Sequence, residues 1–346
     1  MEVESVAFIV CDALGLESGN YSFPYVTRWA EGSEEVVKDT AEQVVECGRR
    51  ILNSLEERRR MRHRSNWTRP HGSLVTVPDM RSGVWFPLFE ELANPRVVMH
   101  LGAEAEECGW HGVFVWDHVR WREPIKQVAD PWITLAAIAS ATEEIMLGPM
   151  VSALARRRPA KVARETATLD RLSDGRLILG VGIGEDRFGA EFSKTGEQVD
   201  DRVRGEMLDE ALEILNEAWS GEPVNHHGKH YLVDDVRFLP RPTQEGGVPV
   251  WAAGYHGNAK PLRRAARCDG FFPVGLENVD QFAQAVATVR ELRGDNRAPY
   301  DIAVELPPGS HVERYAEAGA TWWMTGLEPG VSVADVRAVI REGPAA

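Results

Sequence analysis

Cysteine is scarce in this 346-residue chain: Cys11, Cys47, Cys108 and Cys268 stand far apart and form no CxxC pair. That spacing argues against a disulfide scaffold or a cysteine-built zinc site and fits a reduced, cytoplasmic protein. No apolar run approaches the roughly 18 residues of a membrane span, so no membrane association is expected. The opening MEVESVAFIVCDALG lacks the positively charged start of a signal peptide. Positive charge is short overall. The formal net charge is −14, which disfavours a phosphate backbone, so nucleic acid is not an expected partner. HExxH is missing too. His226 and His230 have helical spacing, but Gly228 between them points to a turn, and no metal is expected.

What is present is a long alternation. From 83 onward, short apolar runs alternate with helical patterns. The runs are 83–87, 112–116, 145–151, 176–182, 248–253, 269–274, 300–305 and 320–325. Most are continuous rather than alternating, as parallel strands buried on both faces require. Asn94-Pro95 and Asp130-Pro131 each read as an N-cap followed by proline in the first turn, and Asp200 caps a strong helix over about 200–219. Eight strand–helix units predict an α/β fold, a (β/α)₈ TIM barrel, with an open doubly wound sheet as the alternative. Residues 1–57 read as a short helical N-terminal extension, 58–80 as a basic, then polar linker, and 81–346 as the barrel. The irregular stretch 221–247 has the size of a functional insertion and reads as a candidate lid.

In such barrels the site lies at the C-terminal strand ends. His118, one residue past the second strand and beside Asp117, is either an acid–base group oriented by Asp117 or a ring bonded within the rim. Glu185, past the fourth, is either its catalytic partner or a solvated carboxylate. Gly254-Tyr255-His256-Gly257-Asn258 follows a strand and opens a helix, so it is a phosphate cradle or a plain tight turn. Gly182 and Gly184 in GVGIG form a weaker anion candidate, without the full dinucleotide fingerprint. Arg202 or Arg204 could reach a phosphate from the long helix.

Several segments occur in order and together resemble the bacterial luciferase-like flavin-dependent oxidoreductases over about 81–343: GVWFPLFEELANPRVV, AEECGWHGVFVWDHV, IMLGPMVSALARRRPAKVARETATLDRLSDGRLILGVGIGED, DRVRGEMLDEALEILNEAW and PLRRAARCDGFFPV. The resemblance implies reduced FMN, or in some branches the deazaflavin F420, bound across the strand ends. It implies a catalytic histidine at His118, a glutamate of the F420 branch at Glu185 and an aromatic at Trp121. It also implies a non-proline cis peptide near Pro149-Met150, and phosphate contacts at Gly254–Asn258 and an arginine such as Arg202. The expected activity is that of a monooxygenase acting on a small organic substrate. Its reductant would be NAD(P)H or a separate flavin reductase. An F420-dependent dehydrogenase or reductase is the alternative, and a non-catalytic flavin-binding protein the alternative of another class. A homodimer is expected from related barrels. The first 57 residues resemble the tail of antirestriction zinc-peptidase proteins, without the HExxH helix that activity needs.

Overall fold

The computed structural model describes residues 80–344, which belong to the second of the chain's two units, Thr76–Ala346. The expectations for the extension and linker therefore lie outside the described residues.

Within them the strands are β1 (Arg81–Phe86), β2 (Gly112–Val115), β3 (Met146–Pro149), β4 (Ser152–Ala153), β5 (Leu179–Gly182), β6 (Pro223–His227), β7 (Leu232–Arg237), β8 (Val250–Tyr255), β9 (Gly270–Val274), β10 (Asp301–Leu306) and β11 (Trp322–Gly326). The helices are α1 (Pro95–Glu107), α2 (Pro131–Ala141), α3 (Pro159–Leu172), α4 (Asp201–Ser220), α5 (Ala259–Ala265), α6 (Val279–Arg293), α7 (Glu313–Glu317) and α8 (Val333–Glu342). The helix starts follow the capping chemistry. Asn94 Oδ1 accepts from the Arg96 amide, Asp130 Oδ1 from Ile133 and Asp200 Oδ1 from Val203.

Nine strands form one parallel sheet in the order β3-β2-β1-β11-β10-β9-β8-β5-β4. The ring closes where Ile178 N donates to Leu147 O at 2.9 Å and Leu147 N to Arg176 O at 3.0 Å. β3 and β4 are thus two halves of one barrel strand, the first paired with β2 and the second with β5. The peptide between them, Met150-Val151, is cis, one bond beyond the expected position. With the halves merged, eight strands make the expected (β/α)₈ TIM barrel.

Period-two alternation divides the core. Val84, Phe86, Val113 and Val115 pack outward under the helices, while Phe114, Met150, Trp251, Phe272, Trp322 and Met324 fill the lumen. Gly148 permits the closure: a Cβ there would sit 1.9 Å from the Ile178 carbonyl oxygen. Gly148→Ala is expected to lose about 1–3 kcal/mol or more, read as a lowered midpoint of thermal unfolding.

The 221–247 stretch differs from the lid expectation. β6 and β7 form an antiparallel hairpin. Its anchor is Glu210 on α4, whose carboxylate accepts from the amides of Lys229, His230 and Tyr231 at 3.0–3.2 Å. Further bonds run to α3, from Thr243 and Gln244 to Asp170. A hairpin clamped on two outer helices buttresses the barrel wall. His226 lies 3.4 Å from Glu210 and His230 3.3 Å from Glu206, so both rings pack into this clamp.

Candidate active site

The loops after β2, β4 and β5 converge on one buried network. Asp117, 3% exposed, accepts from Ser152 Oγ at 2.5 Å, from Arg156 at 2.8 Å and from both Nε and a terminal nitrogen of Arg157, at 3.1 and 2.9 Å. Burial opposes its ionisation, but the two guanidiniums outweigh burial and hold its carboxyl below the usual range. Asp117 therefore does not orient His118, contrary to the sequence expectation. It is a structural counter-ion, and its bonds leave it turned toward the arginines.

Glu191 holds the histidine instead. Its Oε1 lies 3.2 Å from His118 Nδ1, and its Oε2 accepts from the Val119 amide at 3.1 Å and from Arg156 at 3.2 Å. The carboxylate faces an anchored guanidinium, so it is an acceptor, and the Nδ1 position carries the hydrogen. Nε2, the other ring nitrogen, has no partner among the described residues. Sequence reading missed Glu191 because it lies 73 positions from His118 in a loop without periodicity. Folding of that loop delivers it. Asp186 Oδ1 accepts from the amides of Phe192 and Ser193, and Arg204 donates to the carbonyls of Ile183 and Val199.

Around the histidine stands an aromatic wall. Trp121 meets the His118 ring edge-on at 4.6 Å, stacks on Phe188 at 5.1 Å and touches Trp116 and Phe89. Trp116 Nε1 is buried with no acceptor among the described residues, an orphaned donor at the barrel mouth. The adjoining wall is the strand interrupted at Met150-Val151, since β3 pairs with β2, whose end leads to His118. There Met150 is buried, its carbonyl accepts from Trp85 Nε1 at 2.7 Å, and Pro149 lies within the sheet. Val151 lies against Gly182, where a Cβ would come within 3.0 Å of its side chain. Gly184 has positive φ and no room for a Cβ beside Phe192, so it shapes the loop.

Glu185 is not joined to His118. It accepts from the Tyr255 hydroxyl and pairs with Arg187. Burial, reinforced by that carboxylate, pushes the Tyr255 hydroxyl up to about 12, so the phenol keeps its proton. Arg187 also reaches the Tyr255 oxygen, at 2.9 Å. The turn Gly254–Asn258 follows directly: Gly254 admits Pro261 of α5, Gly257 has φ of 80°, and His256 is half-buried. Arg202 lies elsewhere, exposed and paired with Glu206 at 3.4 Å, because the helix turns its neighbour Arg204 inward.

A family model described as luciferase-like monooxygenase matches residues 80–318. The chain is 28% identical over 286 residues to an F420-dependent hydroxymycolic acid dehydrogenase of Mycobacterium tuberculosis, spanning 73% of this chain and 78% of that protein. It is 33% identical over 228 residues to an F420-dependent glucose-6-phosphate dehydrogenase of Nocardia farcinica, spanning 64% and 67%. Of another such dehydrogenase, from Microbacterium testaceum, it spans 53%. Among solved structures, an F420-dependent secondary alcohol dehydrogenase in complex with an F420-acetone adduct superposes with a TM-score of 0.65 at 20% identity, covering 76% of this chain and 98% of that one. A monooxygenase from Streptomyces bottropensis superposes at 0.62 and 21%, covering 76% and 97%. With the model spanning well over half its length, this chain belongs to the luciferase-like monooxygenase family.

Proposed function

We propose that the protein is an F420-dependent oxidoreductase that moves a hydride to or from a hydroxyl-bearing or carbonyl-bearing organic substrate. The observation that carries this reading is the His118–Glu191 pair at the strand ends, beside Trp121, in a chain whose relatives at 28–33% identity bear F420-dependent dehydrogenase names. Bound F420 would supply a two-electron hydride acceptor or donor that needs no oxygen.

The residues present fit such a group. The Met150-Val151 segment and side-chain-free Gly182 offer a flat surface for a planar ring, and the orphaned Trp116 Nε1 offers it a donor. Gly254, Tyr255, His256, Gly257 and Asn258, with Arg187 beside them, are the proposed contacts for its anionic tail. The protein's own task is acid–base chemistry and positioning. His118 Nε2 removes the hydroxyl proton as an alcohol is oxidised and returns it in the reverse direction. Glu191 fixes the ring, and Arg156 fixes Glu191. Trp121, Phe188 and Phe89 exclude water from the imidazole.

An FMN-dependent monooxygenase is the second reading, favoured by the superposition on the Streptomyces enzyme. Anaerobic assay separates the two. Wild-type protein with F420 and a panel of secondary alcohols is expected to bleach F420 absorbance without oxygen. Turnover that requires reduced FMN and oxygen would sink the F420 reading.

A further inference from the structure

One charged side chain at the mouth is unused by the network above. Along β10, Ile302, Val304 and Leu306 pack outward, while Ala303 joins the lumen cluster. The two-residue period therefore turns Glu305 inward, one layer nearer the mouth than Ala303. It is exposed between two buried neighbours, as a group opening into a cavity must be. Its side chain lies across Gly326 of β11, where a Cβ would come within 2.7 Å of Glu305 Oε1. In the ring of eight strands β10 stands four places from β3–β4, so Glu305 faces the Met150-Val151 segment across the mouth.

Glu305 has no hydrogen-bond partner among the described residues. The flanking strands β9 and β11 carry no charged residue, GFFPV and WWMTG. Burial, then the neighbouring Glu328 carboxylate, raises its carboxyl to about 7, and no cation among the described residues opposes them. The side chain is open to the cavity yet surrounded by protein, and it is the enclosure that penalises its charge. Such a group, poised between acid and carboxylate at neutral pH, accepts from a hydroxyl or amine or donates to a carbonyl. A dianion placed there would meet two like charges and no counter-ion.

We propose that Glu305 is a substrate-binding residue that selects an uncharged or cationic molecule bearing a hydroxyl or amine and rejects a phosphate monoester. This rests on the barrel mouth being the substrate site, as proposed above. It would set this chain apart from the relatives named as glucose-6-phosphate dehydrogenases.

The test uses a matched pair of probes, cyclohexanol and cyclohexyl phosphate, titrated calorimetrically at about pH 8 into the full chain with and without F420. Wild type is expected to bind the alcohol on the order of tenfold more tightly than the phosphate, and Glu305→Lys to reverse the order. Glu305→Gln should keep its fold and narrow the difference. A second readout needs neither probe nor cofactor. The carboxylic C=O infrared band that titrates near neutrality in wild type should be missing from Glu305→Gln. Tighter phosphate than alcohol binding in wild type, or variants that leave both the preference and the infrared titration unchanged, would overturn the proposal. Failure of F420 to quench in a separate titration would instead strike the cofactor reading, leaving the infrared result standing.

Discussion

His118→Ala is expected to lower kcat for F420-dependent turnover by about 10²–10⁴-fold while the dissociation constant for F420 stays within about twofold. The imidazole is held at the strand ends by a buried partner, Glu191 at 3.2 Å, and its other nitrogen has no partner among the described residues. Removing it deletes proton transfer but leaves the Met150-Val151 wall and the Gly254–Asn258 turn in place. Glu191→Gln keeps an oxygen toward Nδ1 yet gives up the charge that anchors Arg156. It should therefore fall by about ten- to a hundredfold in kcat with little change in KM. Pre-steady-state bleaching of F420 with saturating alcohol measures both. Equal loss of cofactor binding in either variant would make the pair structural rather than catalytic.

Asp117→Ala is expected to cost about 3–5 kcal/mol of stability, because it leaves two guanidiniums at the barrel rim without their shared counter-ion. The Asp117 side chain is fully buried, and Arg156 and Arg157 are 3% and 17% exposed, so water screens the pair poorly. For a barrel of this size that corresponds to a drop on the order of 10 °C in Tm. The pH dependence has a definite sign. A carboxyl whose folded pKa lies below its unfolded value contributes fully above about pH 4, the unfolded value. That contribution is lost as the pH falls through the folded pKa. Wild type should accordingly lose stability below about pH 4, and Asp117→Ala should lose less of it over the same range. Chemical denaturation at several pH values reads the difference directly. A variant within about 0.5 kcal/mol of wild type would mean that Ser152 and the backbone satisfy the arginines without Asp117.

Sequence made the barrel legible because parallel strands buried on both faces leave continuous apolar runs, such as 112–116 and 248–253, that no outward-facing segment imitates. Helix starts were legible for a similarly local reason: Asn94, Asp130 and Asp200 cap through their own side chains. Strand-end logic placed His118, and the family resemblance placed Trp121 beside it. What stayed hidden depends on contacts between distant segments. Asp117 adjoins His118 in the chain, yet Arg156 and Arg157, about forty residues away, draw its carboxylate aside. The β6–β7 hairpin was hidden as well, because an exposed two-stranded ribbon held by backbone amides on Glu210 needs little apolar pattern. Glu305 escaped notice since one acidic residue in an apolar strand looks like an edge. Only the closed ring turns it into a lumen group.

The resemblance led first to a monooxygenase fed by a flavin reductase. The F420 reading removes the need for that partner, since an alcohol can itself be the electron donor. Both readings use the same barrel mouth, so the cofactor decides between them. The measurement that tests this most directly is a parallel fluorescence titration of the full-length protein with F420 and with FMN. Saturable quenching of F420 at micromolar concentration is expected, with FMN weaker by on the order of tenfold or more. Tight FMN binding with no detectable binding of F420 would contradict it.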